Sequence, residues 1–106
     1  MTDRSHTELY SKLLAFVEEH GHAALEGVAE RGMPASRALE FMALLEAHRV
    51  PLYGLEVWRN CPGGYDLDVS SIWYCSSGLH HQYSEAREGL RLAQPTPADL
   101  VAVQFG

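Results

Sequence analysis

The chain has 106 residues, of which 46% are hydrophobic and 21% charged. That is the size and composition of one globular domain, read here as spanning 1–106, and it excludes a disordered or low-complexity chain. The formal net charge is −6, with Lys12 the only lysine, so a phosphate-backbone partner is disfavoured and a basic protein partner is favoured.

No membrane-spanning segment is expected, because the longest apolar run is Leu13 to Val17. The opening residues, MTDRSHTELY, lack the basic start and apolar stretch of a secretory leader, so a cytoplasmic location is expected.

Ser5-His6-Thr7-Glu8 has the form of a capping box, and Leu9, Leu13, Phe16 and Val17 then recur at helical spacing. Gly21 suits a helix stop. Ala24, Leu25 and Val28 carry a second, shorter helical stripe. Pro34 or Ser36 opens the next helix, where Leu39, Phe41, Met42, Leu44 and Leu45 are apolar nearly all round and imply a well-buried element. That helix must stop by Val50, since the residue before a proline avoids helical angles.

Leu52 to Arg59 and Asp66 to Cys75 are rich in β-branched and aromatic residues, and NCPGG between them holds turn residues. They read as an antiparallel hairpin, 52–59 and 66–75, with a loop of about four to six residues. A further helix follows, with Ser84 as its cap and Tyr83, Ala86, Leu90 and Ala93 down one side. Thr96 to Asp99 can cap one last helical turn. The final run LVAVQF supplies a candidate third strand over 101–105. The fold class is therefore α+β, with helices on one face of a small antiparallel sheet.

Alternation along the strands divides the hairpin into two faces. Tyr53, Leu55 and Val57, with Leu67, Val69, Ser71 and Trp73, are expected to meet Leu39, Met42 and Leu45. The opposite face then carries Glu56, Trp58, Asp66, Asp68, Ile72 and Tyr74. Aromatic anchors among acids suit a protein interface; the simpler reading is that Trp58 and Tyr74 pair across the strands.

Other chemistry is weakly represented. Cys61 at the turn and Cys75 at the far strand end lie on the order of 30 Å apart at ~3.3 Å per residue. A disulfide needs Cα atoms within about 7 Å. Cys75, His80 and His81 form the one Cys/His group, the basis of an alternative reading as a small metal-binding module or enzyme. Their spacing matches no common zinc pattern, so neither metal nor cofactor is expected. No phosphate-binding or nucleophile motif is present. His80 and His81 also form a secondary candidate surface.

The central block, ALEFMALLEAHRVPLYGLEVWR, a variable turn NCPGGYDLD, then VSSIWYC and the helix YSEAREGLRLA, resembles a known family. This is the Immunity protein 40 group of bacterial polymorphic toxin systems, and the resemblance covers Ala38 to Ala93. Members of that group carry a Gly-Gly-Asp-like step after the proline, where this chain has Gly54, Leu55 and Glu56. The resemblance implies a small cytoplasmic, non-catalytic antidote that binds a cognate toxin domain and occludes its active site. It leaves the oligomeric state open.

Overall fold

The computed structural model describes residues 4–23 and 31–106, with side chains from Thr7 onward in the first helix. Three helices pack on one face of a five-stranded antiparallel sheet. In chain order they are α1 (Arg4–His20), β1 (His22–Ala23), β2 (Arg31–Met33), α2 (Ala35–Ala47), β3 (Leu52–Cys61), β4 (Gly64–Tyr74), α3 (Tyr83–Ala93) and β5 (Leu100–Phe105). The sheet order is β1-β2-β5-β3-β4. The C-terminal run thus joins the hairpin as its third strand, beside β3. The two short strands β1 and β2 extend the sheet beyond β5 and carry too few residues to show a periodicity.

Helix α1 buries Leu13 and packs Leu9, Phe16 and Val17 on the core, as their spacing demands. Its first residue is Arg4, so Ser5 lies inside the helix rather than capping it. Gly21 ends it, donating its amide to Val17 O at 2.7 Å. The stripe of Ala24, Leu25 and Val28 lies outside the described residues.

Helix α2 begins after Pro34, whose carbonyl accepts the amides of Arg37 and Ala38. Its buried side is Ala38, Phe41, Met42 and Leu45, a single 3.6-residue stripe. Leu39 and Leu44 flank that stripe and are exposed, so the helix is amphipathic rather than buried all round. It ends before Pro51 as expected, in a Schellman turn. The Val50 amide reaches Leu45 O at 2.9 Å, the Arg49 amide reaches Glu46 O, and Arg49 takes the left-handed conformation.

The hairpin is tighter than its composition suggests. Cys61 pairs with Gly64, leaving Pro62 and Gly63 alone at the tip. Proline followed by a glycine at φ 88° is the chemistry of a type II turn. Helix α3 starts at Tyr83, with Gln82 at the cap position and Ser84 within the first turn. Its buried Tyr83, Ala86 and Leu90 join Leu13, Met42, Leu45, Leu55, Val57 and Val101 in one core. Tyr83 ties the helix to the end of α2, its hydroxyl donating to Val50 O at 2.6 Å. Thr96 to Asp99 forms a turn, not a helix, with the Asp99 amide donating to Thr96 O. Among the described residues no helix is long and apolar enough to cross a membrane.

Candidate protein-binding surface

The residues expected to form one acidic-aromatic face are split by a bulge. Between the pairs Glu56–Ile72 and Trp58–Leu67, β3 has one residue, Val57, while β4 has four, Asp68 to Ser71. Strict alternation fails across such an insertion. Glu56, Trp58, Ile72 and Tyr74 do share the face away from the helices. Leu67, opposite Trp58, joins them there. Asp66 lies opposite Arg59 and therefore belongs to the helix side. Asp68 turns to the same side, where Arg59 Nε donates to its Oδ2 at 2.9 Å.

Burial changes the expected roles further. Trp58 is 9% exposed and Glu56 8%. Trp58 packs with Leu100, Ala102, Tyr65 and Leu67 in a second small cluster, and it does not pair with Tyr74, which sits opposite Gly54. Neither Trp58 nor Glu56 is free to serve as an anchor in this conformation. Leu55, Val57 and Trp73 pack toward the helices as expected, whereas Val69 is 78% exposed. The expected surface reduces to what β4 still presents: exposed Asp66, half-buried Ile72, and Tyr74 at 58% exposure.

Asp68 is structural. It accepts from the Ser70 amide and hydroxyl, the Ser71 hydroxyl and Arg59, and these hydrogen bonds hold its carboxyl far below the usual range. Sequence reasoning missed its partners, Arg59 and Asp99. Arg59 also donates to Ala93 O at 2.6 Å and to Asp99 Oδ2 at 3.2 Å, linking β4, the end of α3 and the start of β5. Burial opposes the charge on Arg59, yet hydrogen bonds to Asp68 and Asp99 raise its pKa.

The other arginine pairs leave the surface acidic. Arg37 binds Glu40, Arg87 binds Glu46, and Arg91 binds Glu88. Exposed Glu8, Glu18, Asp66 and Glu85 take part in none of the ion pairs among the described residues. Lys12, Arg31 and Arg49 are exposed outside these pairs, so the described surface carries both signs with acids in excess.

Cys61 and Cys75 lie free at opposite ends of the hairpin. The adjacent histidines point apart. His80 stacks edge-on against Tyr53 at 4.8 Å, while His81 Nε2 contacts Arg49 O at 3.1 Å. Among the described residues no three His, Cys, Asp or Glu side chains are placed to hold one metal ion. Two grooves stand out. One of about 480 Å³ lies between α1 and β5, lined by Leu14, Val17, Tyr53 and Phe105 among others. The other, about 220 Å³, lies between α3 and the β4 bulge.

No protein-family model, curated protein sequence or solved structure matches the chain.

Proposed function

We propose that this chain is a cytoplasmic, non-catalytic antidote: a protein that binds a cognate bacterial toxin domain, basic in charge, and occludes its active site. The resemblance of Ala38 to Ala93 to the immunity group motivates the toxin. The observation that carries the binding role is the pattern on β4, where Tyr74 and Val69 are solvent-facing and Asp66 has no basic partner among the described ion pairs. The bulge and the charges of Asp66 and Asp68 blunt the first part of β4, but its last residues, Ile72 to Tyr74, carry none of the devices that usually close an exposed edge. Acidic charge beside it would steer a basic partner and raise its association rate.

The test is growth of cells that express the toxin domain encoded next to this gene, with and without the chain. Wild type should restore growth. The double variant Asp66→Ala/Tyr74→Ala should weaken purified toxin binding by at least tenfold without altering the fold. Undiminished affinity in that variant would move the contact surface to the His80 and His81 region, and failure of wild type to restore growth would remove the antidote reading.

A further inference from the structure

The pattern of hydrogen bonds along β4 defines a mode of binding. β4 ends the sheet, and among the described residues no strand lies beyond it. The Cys75 amide donates inward to Tyr53 O at 3.0 Å, and Trp73 O also lies toward β3, at 3.0 Å from where a Gly54 Cβ would stand. In an antiparallel ladder the N–H and C=O of one residue point to the same edge, and the next residue points to the opposite one. The N–H and C=O of Ile72 and Tyr74 therefore face outward. The bulge distorts the edge only as far as Ser71. From Ile72 to Tyr74 the edge is regular and carries no lysine, proline, charge or bulge, devices that normally prevent strand addition.

Beside this edge lies the groove of about 220 Å³. Leu55 and Val57 of β3, Ser71 and Trp73 of β4, and Leu90 and Leu92 of α3 line it. Leu92 is 67% exposed, while Leu55, Val57 and Leu90 are buried. An engineered apolar cavity of about 150 Å³ admits benzene, so this groove has room for one large apolar side chain. Glu85 is exposed and stands one turn before Gly89, which is packed on Trp73. It sits on the same side of α3 as the groove, outside the described ion pairs. Nearby Arg59 and Arg91 are both held by acids.

We propose, building on the protein-binding reading above, that the edge Ile72–Tyr74 takes an extended segment of the partner as an added strand. That segment is apolar with flanking lysine or arginine. It bonds to Ile72 and Tyr74, seats one apolar side chain in the groove, and sets its cationic end near Glu85. Strand addition draws its affinity from main-chain bonds and its specificity from alternate side chains.

The probe is the peptide acetyl-Lys-Val-Phe-Val-Lys-amide, titrated into the whole chain and followed by amide exchange and chemical shifts. Alternation puts both lysines and the phenylalanine on one side. Amide exchange at Ile72 and Tyr74 should slow at least tenfold on binding, with Trp73 little changed, and resonances of Gly89 to Ala93 should shift. The glutamate analogue should bind at least tenfold more weakly at low salt. Peptides N-methylated at both valines or at the phenylalanine should differ, one pattern losing binding, because alternate amides face opposite edges. No slowing at Ile72 and Tyr74, equal loss for both methylation patterns, or equal affinity of the glutamate peptide would overturn the proposal. So would concentration-dependent protection of Ile72 and Tyr74 without peptide, which would make a second copy the occupant. Ile72→Pro removes an outward donor, not a bond to β3, though it also replaces the half-buried side chain and fixes φ; in a chain shown to be folded it should abolish peptide capture. Growth rescue that survives this change would refute strand addition and leave the antidote reading standing. Absent rescue by wild type alongside intact peptide capture would do the reverse.

Discussion

Arg59 and Asp99, forty positions apart on β3 and at the start of β5, meet at 3.2 Å and hold the hairpin, the end of α3 and the last strand together. Asp99 is 4% exposed and also accepts the amides of Asn60 and Thr96, each at 2.8 Å. Asp99→Ala would remove the acceptor of two part-buried amides and one of the two carboxylates that hold the Arg59 guanidinium. Hydrogen bonds to charged groups contribute about 1.5–3 kcal/mol each, and their losses overlap, so a destabilisation of about 2–4 kcal/mol is expected. Asp99→Asn keeps an acceptor and should recover part of it. The urea midpoint at constant m-value measures both.

The same cluster is expected to contribute to the loss of stability in acid. Hydrogen bonds from Ser70, Arg59 and Ser71 lower the pKa of Asp68; for Asp99, burial acts upward but is outweighed by the Asn60 and Thr96 amides and by Arg59. Both carboxyls are therefore lower in the folded chain than in the unfolded one, where Asp titrates near about 3.9. A depressed carboxyl contributes stability that is fully present above the unfolded value and is lost as pH falls through the folded one. Stability should be flat with respect to these two groups above about pH 5 and should decline below about pH 4. Arg59→Gln should shrink that acid-side decline. A slope identical to wild type between about pH 2 and 4 would show that Arg59 is not part of its source.

Arg49 is the residue at which local conformational preference and the fold disagree. It occupies the left-handed position of the Schellman turn at φ 54°, where its Cβ is unfavourable and glycine is usual. Its side chain is exposed, and what the turn needs from it is backbone, including the carbonyl that meets His81. Arg49→Gly should raise stability by about 0.5–1 kcal/mol, less the greater freedom glycine gives the unfolded chain. Thermal denaturation should show the melting temperature rising by a few degrees; a fall would mean that the arginine side chain contributes more than its backbone costs.

The hairpin, the third strand and the helix stripes were legible because each rests on local chemistry: β-branched and aromatic runs, a proline-glycine turn, apolar residues at 3.6 spacing. The division of the hairpin into faces was legible from Gly54 to Trp58 and from Ile72 to Tyr74, and was inverted before the bulge. Counting by twos from either end assumes no insertion. What creates the insertion is side-chain capture of the strand's own backbone, Asp68 with the Ser70 amide, in competition with the ladder. The Asp-Val-Ser-Ser sequence carries that tendency but does not say which partner strand it will lose. Burial of Trp58 and Glu56 depended on Leu100 and Ala102, contacts about forty residues away that no local pattern encodes.

Gly54 explains the closeness of the two strands at the open end of the hairpin. A Cβ there would lie 2.6 Å from Tyr74 Cδ1, 3.0 Å from Trp73 O and 3.0 Å from Gln104 Oε1. The tyrosine ring thus covers the glycine across the strand pair, and this contact fixes how Tyr74 stands beside the outer edge. In Gly54→Ala the ring and the Gln104 side chain can swing away, but the Trp73 carbonyl belongs to the ladder and has less room to move. Overpacking of this kind costs about 1–3 kcal/mol. The variant should therefore be destabilised within that range, and its Tyr74 ring resonances should shift. Partner binding should fall by more than the loss of folded protein accounts for, since the proposed edge includes Tyr74. Full binding by a folded Gly54→Ala chain with a displaced Tyr74 ring would show that the ring's position is immaterial to recognition.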